Sequence, residues 1–124
     1  GNEELHALVW TGHSERHGLY WVKSTNGGST WTEPRPIGGE RSRHADLGVN
    51  GQTVVAAWDE AWGIWVSLGR GLGARWSEPR QISRENHVAS HPIVIQTGKM
   101  FRIFWTERDE FGVNAWRSEA LVTE

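Results

Sequence analysis

Short runs in which hydrophobic residues alternate with polar ones fill most of the chain, and glycine-containing turns separate these runs. In three runs, Leu5–Trp10, Thr53–Trp58 and Met100–Trp105, both alternating faces are mostly apolar. A strand that is apolar on both faces is covered on both faces, as it is between stacked sheets. No segment sustains the 3.6-residue period of an amphipathic helix. The pattern therefore predicts an all-β chain with essentially no helix.

The same landmarks recur along the chain with a period of about 45–48 residues, which indicates a repeat protein. The tripeptide Glu-Pro-Arg at positions 33–35 returns at positions 78–80, and Trp31 returns as Trp76. Likewise, His44, Gly51 and Trp58 return as His91, Gly98 and Trp105. We divide the chain into an incomplete unit with its connecting loop (1–44), a complete unit with its connecting loop (45–91) and a second incomplete unit (92–124).

Each complete unit is interpreted as four antiparallel strands, A to D in chain order. The predicted A strands are Ala45–Val49 and Pro92–Gln96, and the B strands are the three apolar runs above. The predicted C strands are Leu19–Lys23, Ile64–Leu68 and Val113–Arg117. Strand D follows Trp31 or Trp76 and carries the Glu-Pro-Arg run. Since proline cannot donate to a β-ladder, D is expected at the outer edge of each sheet.

The segment Ser24-Thr25-Asn26-Gly27-Gly28-Ser29-Thr30-Trp31 resembles the Asp-box, or BNR, motif of sialidase-like β-propellers, Ser-x-Asp-x-Gly-x-Thr-Trp, with Asn26 in place of the usual aspartate. A second copy at positions 69–76 keeps the length, glycines and tryptophan. The resemblance implies a partial β-propeller of two to three four-stranded blades from a six-bladed type of ring. It also implies a structural role, holding the C–D turn, for Ser24, Asn26, Gly28, Thr30 and Trp31.

Propellers close with about four to eight blades, so fewer than three repeats cannot close a ring. Three kinds of partner would supply the rest: further blades of a longer chain, other copies of this chain, or another subunit. Stacked repeats with bare ends expose apolar faces, so we expect such a partner.

Because consecutive strands alternate in direction, the B–C and D–A connections lie on one face of the units, and by resemblance that face holds the ligand site. Five of the six histidines fall in these connections, together with Arg41, Asp59 and Glu60. The candidate ligand-binding residues on this face are Arg43, His44, Trp62, Arg84, His87, His91 and Asp109. Exposed Trp62 is a candidate to stack on a sugar ring, with packing between blades as the alternative.

Histidines on the same face are candidate metal ligands. His13, His17, His44 and His91 would suit Zn²⁺ or Cu²⁺ if several converged, and a purely structural role for each stays open. Arg102, in register with Ala7 and Val55, is expected to be buried and paired with a carboxylate or with carbonyl groups.

Composition excludes several classes of function. The formal charge of −2, with 13 basic and 15 acidic residues, and the lack of a basic block argue against nucleic acid as a partner. No apolar run approaches the ~20 residues of a membrane span, and no signal peptide is visible at positions 1–4. Cysteine is absent, which excludes disulfides and thiolate metal sites. The resemblance to sialidase-like propellers implies an extracellular or periplasmic location.

Three functions remain at this point. The first is a binding or scaffolding module that contacts a glycan, a metal or a partner protein through the B–C/D–A loop face. The second is a fragment of an exo-α-sialidase-type glycoside hydrolase. Such an enzyme needs three arginines, a tyrosine–glutamate pair and an aspartate, and the single tyrosine, Tyr20, lies in a C strand. The third is a periplasmic metal-linked accessory domain. No cofactor and no catalytic residue is assigned.

Overall fold

The structure, a computed structural model, describes residues 3–122, with side chains as far as residue 121, and consists of strands and turns. Residues 1, 2, 123 and 124 of the first and third predicted units lie outside the described residues. The strands are β1 (Leu5–Thr11), β2 (Gly18–Ser24), β3 (Arg35–Gly38), β4 (Ala45–Asn50), β5 (Thr53–Glu60), β6 (Gly63–Arg70), β7 (Arg75–Trp76), β8 (Arg80–Gln81), β9 (Val88–Thr97), β10 (Met100–Arg108) and β11 (Asn114–Val122).

The strands form three antiparallel sheets. The first has the order β1-β2-β3, the second β4-β5-β6-β7 with β8 also on β6, and the third β11-β10-β9. Between residues 3 and 122 there is no helix, which confirms the all-β prediction, and therefore none that could cross a membrane. The predicted A, B and C strands all correspond to strands of the structure, because the alternating pattern and the glycine turns mark them clearly.

The predicted D strands are shorter than expected, and the second is broken. In the first unit only β3 pairs with β2, and in the second unit β7 and β8 pair with β6 on either side of residues 77–79. Proline has no N–H for the ladder, so Pro34 and Pro79 interrupt the pairing at these points. Other strands extend beyond their predicted bounds, most of all in the third sheet: β9 begins at Val88, before the assigned boundary at residue 91, β10 continues to Arg108 and β11 to Val122.

The second sheet lies between the other two, and β5 shows this by its alternation. Val55 and Ala57 belong to a buried cluster shared with the third sheet, whereas Ala56 and Trp58 belong to a cluster shared with the first sheet. Successive side chains of a strand point to opposite faces. The apolar character of both faces of β5 therefore reflects packing on both sides, as the sequence predicts.

Strand β1 departs from that prediction. Its residues Leu5 and Val9, which lie on the same face of the strand, are exposed, although the run is as apolar as that of β5. The first sheet lies at one end of the stack, so only one of its faces packs against another described sheet. Coverage of both faces is thus found in the middle sheet alone.

A glycine sets the distance between the second and third sheets. A Cβ added to Gly48 of β4 would lie 2.8 Å from Phe101 Cε1 and 2.8 Å from Val94 Cγ1, closer than real Cβ contacts. The absence of a side chain at Gly48 thus lets β4 approach β9 and β10 closely.

Candidate functional site

A cleft of about 490 Å³ opens where the second and third sheets meet. It is formed by the segment before β4, the end of β5, the β5–β6 turn and the start of β9. Its lining residues are Arg41, Arg43, His44, Asp59, Glu60, Ala61, Trp62, Ala89, Ser90 and His91. Four of the seven candidates for the ligand-binding face lie here: Arg43, His44, Trp62 and His91.

Backbone hydrogen bonds beyond the β4–β5 ladder place His44 opposite Asp59. The Asp59 N–H donates to the His44 carbonyl at 3.3 Å, and the Arg43 N–H donates to the Asp59 carbonyl at 2.8 Å. As a result, His44 Nδ1 lies 2.9 Å from Asp59 Oδ2. Asp59 is only 7% exposed, so this imidazole is an important polar partner of a buried carboxylate.

His91 reaches the same carboxylate from the third sheet. The β9–β10 register shifts between Phe104 and Thr106, and at this bulge His91 takes a φ of 59°. Its backbone N–H donates to Asp59 Oδ2 at 2.8 Å. The imidazoles of His44 and His91 stack with centroids 3.8 Å apart. Bulges redirect side chains, and here the bulge brings the second imidazole to the cleft.

The β5–β6 turn holds Trp62 over the cleft in a strained conformation. Ala61 and Trp62 have φ values of 49° and 68°, a region that Asn and Gly normally occupy in two-residue hairpin turns. Trp62 is nevertheless 70% exposed, and its carbonyl accepts the Ala89 N–H at 2.9 Å. Such backbone strain costs about 1–3 kcal/mol per residue and clusters at functional sites. Among residues 3–122, three of the four non-glycine residues with positive φ line this cleft.

The two arginines that line the cleft, Arg43 and Arg41, differ in the contacts that their side chains make. The Arg43 guanidinium donates to the carbonyls of Glu40 and Ser42, both at 2.9 Å, and lies 5.0 Å from the ring centre of Trp10. The exposed Arg41 side chain makes no hydrogen bond or ion pair with any other described residue. Arg41 is therefore the cleft cation that is free to meet a ligand.

A glutamate two residues after a buried tryptophan occurs in both the second and the third sheet. Trp58 Nε1 donates to Glu60 Oε1 at 3.1 Å, and Trp105 Nε1 donates to Glu107 Oε1 at 3.0 Å. The spacing is the same because these positions are equivalent in the repeat. In the second sheet, Glu60 also accepts the Ser42 hydroxyl at 3.0 Å and so supports the segment that leads to His44.

Glu107 is the most buried acidic group among the described residues, at 2% exposure. Its Oε2 lies 2.6 Å from His87 Nδ1 and 3.5 Å from Arg117 Nε. Burial by itself would raise the pKa of Glu107. The hydrogen bonds from Trp105 and His87 and the charges of His87 and Arg117 outweigh burial, so that the pKa lies below its usual value.

Protonation of Glu107 in acid should consequently lower the free energy of unfolding. A carboxyl with a lower pKa in the folded than in the unfolded chain stabilises the fold above its unfolded pKa, and this contribution is lost as pH falls through the folded pKa. Between about pH 7 and pH 3, the free energy of unfolding of the native protein should therefore drop relative to that of Glu107→Gln. Urea denaturation of both proteins at several pH values measures this difference. A constant difference across the range would contradict it.

The other three candidates for the ligand-binding face do not line the cleft. His87 belongs to the Glu107 network, and the exposed Arg84 accepts the His87 N–H through its carbonyl at 3.3 Å. Asp109 accepts the N–H groups of Phe111 and Val113, both at 2.9 Å, within the β10–β11 turn. Hydrogen bonding from Val113, against a smaller effect of burial, lowers the pKa of Asp109. These contacts are local to the third sheet.

Of the candidate metal ligands, only His44 and His91 come together. His17 Nδ1 lies 3.0 Å from Glu40 Oε2, and His13 Nδ1 accepts the Glu15 N–H at 3.3 Å. Both histidines are exposed and lie on the first sheet's β1–β2 connection. Within residues 3–122, His44, Asp59 and His91 form the one cluster whose ligand atoms all lie within 4.8 Å of one another.

The environment of Arg102 differs from the prediction. The side chain is half-buried, and its Nη1 donates to the hydroxyl of Ser118 at 3.0 Å rather than to a carboxylate or a carbonyl. Arg102 and Ser118 lie on neighbouring strands of the third sheet, and solvent access relieves the need for an opposite charge.

Side-chain hydrogen bonds hold the turn between β2 and β3. Asn26 Oδ1 accepts the Thr30 N–H at 2.9 Å, and its Nδ2 donates to the Thr30 hydroxyl at 2.8 Å. Ser24 Oγ accepts the Gly28 N–H at 2.9 Å. Gly28 has a φ of 95° and lies over Leu5 and Trp31, where an added Cβ would be 3.7 Å from the Trp31 ring.

Asp59, Glu60 and Arg41 lie in connections of the predicted face but were not among its seven candidate ligand-binding residues, and all three line the cleft. The sequence places Asp59 in a B–C connection, whereas the structure has it buried within β5. The sequence signal for this burial was the position of Asp59 directly after the apolar run that ends in Trp58, since Asp59 continues the buried strand.

Comparisons of this chain with protein-family models, with curated proteins and with solved structures gave no match.

Proposed function

We propose that this chain is a set of blades from a sialidase-like, Asp-box β-propeller, and that it binds a glycan in the cleft between its second and third sheets. The observation that carries the glycan proposal is Trp62, an indole that is 70% exposed on a strained turn above a concave, polar surface. Exposing a large apolar ring in a strained turn is costly, which favours a role in recognition.

Three features support the propeller proposal. The three sheets repeat the same order of antiparallel strands, they stack through both faces of β5, and the strand at the start of the second sheet packs on the third. The Ser24–Trp31 turn makes the hydrogen bonds that an Asp-box turn requires of its serine and Asx side chains. The bare face of β1 would then be covered by another blade, from the same longer chain, another copy or another subunit.

The chemistry of the cleft suits a saccharide. An indole offers a flat apolar surface to the C–H face of a sugar ring. Around it, imidazole, guanidinium and carboxylate groups of His44, Arg41 and Glu60 offer donors and acceptors for hydroxyl groups. Arg41, free of other described partners, adds a planar fork that matches a sugar carboxylate. A glycan ligand is consistent with an extracellular or periplasmic location.

A binding function is better supported than sialidase-type hydrolysis. The lone tyrosine, Tyr20, lines a different cavity on the first sheet, with Val9, Thr11, Arg16, Glu33 and Pro34. A tyrosine nucleophile would have to lie within reach of the sugar that the cleft arginines hold. Tyr20 is not among the residues that line the cleft.

Replacing Trp62 with alanine should weaken glycan binding about 10- to 100-fold, because truncating a central aromatic contact costs about 2 kcal/mol or more. A glycan array carrying sialylated and neutral oligosaccharides first identifies a ligand for the native protein. Calorimetric titration of that oligosaccharide into the native protein and Trp62→Ala then measures the loss. Unfolding temperature should not fall, since the variant removes an exposed ring from a strained turn.

The matched control is Trp116→Ala, which removes an equally exposed indole (72%) from β11, outside the cleft. This variant should bind the same oligosaccharide with native affinity. Equal losses in the two variants, or an unchanged affinity of Trp62→Ala, would refute the assignment of the cleft. Arg41→Ala should weaken binding of carboxylated sugars more than that of neutral ones.

A further inference from the structure

We propose that His44, Asp59 and His91 bind a divalent transition-metal ion, with Zn²⁺ the ion that the ligand set suits best. Two imidazoles and one carboxylate are the ligands of many open zinc sites, in which water or a substrate takes the remaining position. Imidazole ligands favour Zn²⁺, Cu²⁺ and Ni²⁺ over Mg²⁺ and Ca²⁺, which prefer all-oxygen sites. The site would lie in the floor of the cleft and would add a second kind of ligand to it.

The distances fit such an ion. His44 Nδ1 and Asp59 Oδ2 are 2.9 Å apart. At a tetrahedral angle, two bonds of about 2.0–2.2 Å hold the ligand atoms about 3.3–3.6 Å apart, so an ion would move these two atoms apart by about half an ångström. Without an ion, a proton on the imidazole fills this gap as a hydrogen bond. The third ligand, from the His91 ring, lies within 4.8 Å of both other ligand atoms.

The proposed site combines a buried, fixed carboxylate with imidazoles that solvent can reach, as an open metal site requires. The Asp59 side chain is 9% exposed and is fixed by the His91 backbone N–H, whereas the His44 side chain is 55% exposed. The carboxylate is held, whereas the exposed imidazoles can rotate about their side-chain bonds to point toward one ion. The two rings now stack face to face with their centroids 3.8 Å apart, so both already lie beside the carboxylate.

The positive charges near the three ligands do not strongly oppose the binding of a cation. Arg43 is turned toward the carbonyls of Glu40 and Ser42 and toward Trp10. Its positive charge and that of Arg41 are matched by the two carboxylates of Asp59 and Glu60 in the same cleft. Because His44 and Asp59 belong to the second sheet and His91 to the third, a bound ion would also link the two sheets.

Calorimetric titration of tag-free protein with Zn²⁺ tests the proposal. We expect about one ion per chain and a higher unfolding temperature in the presence of Zn²⁺, since an ion that binds only the folded state stabilises it. Replacing Zn²⁺ with Co²⁺ should give visible absorption bands typical of a low-coordinate site with nitrogen ligands. Removing either imidazole should weaken Zn²⁺ binding at least about 10-fold. Losing a residue that only hydrogen-bonds to a metal ligand already weakens binding about 10- to 100-fold, and losing a ligand should cost no less.

The informative variants are His44→Ala and His91→Gly. His91→Gly removes the imidazole and suits the φ of 59°, so it should fold at least as well as the native chain. The double variant His13→Ala/His17→Ala removes two imidazoles outside the cluster and should keep native affinity. The proposal fails if His44→Ala and His91→Gly bind Zn²⁺ as the native protein does, or if the control loses as much.

The metal proposal does not rest on glycan binding. Trp62 contributes no ligand atom, so Trp62→Ala should bind Zn²⁺ with native affinity even where it has lost the oligosaccharide. The two measurements on the one variant therefore separate failure of the glycan proposal from failure of the metal site. A loss of Zn²⁺ affinity in Trp62→Ala comparable to that in His44→Ala would overturn the three-ligand assignment.

Discussion

Glu107→Ala should lower the free energy of unfolding by about 3–5 kcal/mol, the range found when one partner of a buried ion pair is removed. The carboxylate is 2% exposed and accepts hydrogen bonds from Trp105 Nε1 and His87 Nδ1, with Arg117 3.5 Å away. Without it, the indole N–H and the largely buried imidazole lose their acceptor, and a cavity remains. Because domains are stable by only about 5–15 kcal/mol, this single change should bring the protein close to unfolding.

Two acidic residues serve as controls for Glu107. Glu110, exposed in the following turn, should change stability by no more than about 0.5 kcal/mol when replaced by alanine. Glu60, the repeat-equivalent residue, is half-buried and should lie between them. Urea denaturation followed by tryptophan fluorescence gives all three values. A Glu107→Ala protein as stable as Glu110→Ala would show that the hydrogen-bonded network contributes nothing.

Phe101→Ala should cost a similar amount, about 3–5 kcal/mol, through loss of buried apolar area and creation of a cavity. Phe101 of β10 is fully buried and packs in the cluster that joins the third sheet to Val55 and Ala57 of β5. Its ring also lies against Gly48 of β4. The loss should therefore loosen the contact between the second and third sheets as well as the third sheet itself.

Phe111→Ala is the matched control, because the same side chain is 83% exposed in the β10–β11 turn. It should leave the midpoint of urea denaturation essentially unchanged. Comparable destabilisation by the two alanine variants would mean that Phe101 is not in the interior.

A double-mutant cycle tests the contact itself. Gly48→Ala alone should destabilise the native protein, since its Cβ would come within 2.8 Å of Phe101 Cε1. Phe101→Ala would remove the close contact with Phe101 and leave only that with Val94, so in the double variant the coupling energy should be about 0.5–3 kcal/mol in the favourable direction. Additive effects would contradict the close approach of these two residues.

The amino-acid sequence by itself determined the class of the fold and the order of its strands. Alternation of apolar and polar residues, with glycines at the turns, marks the hairpins around β5 and β10 because side chains of a strand alternate between its faces. The 47-residue shift from His44 to His91 predicted two equivalent histidines, each near the start of a unit's first strand. Alternation and turn residues depend on neighbouring positions, and a repeat is visible when the sequence is compared with itself, so both can be recognised without a structure.

The cleft could be predicted only in part. His44, His91, Trp62 and Arg43 were among the candidates, yet nothing in the pattern distinguished them from His87, Arg84 and Asp109, which the structure places in contacts of the third sheet. All seven are polar or aromatic residues in connections of similar character. Which of them meet depends on how closely the two sheets approach, and a glycine at position 48 decides that distance.

Two features were decided by the tertiary structure alone. The bulge at His91 brings its imidazole to 3.8 Å from that of His44, and it arises from the pairing of β9 with β10. The burial of Asp59 depends on the third sheet, whose His91 N–H its carboxylate accepts. The contacts of His91 with Asp59 and with His44 join residues 32 and 47 positions apart, and they depend on packing between sheets, which the periodicity within a strand does not specify.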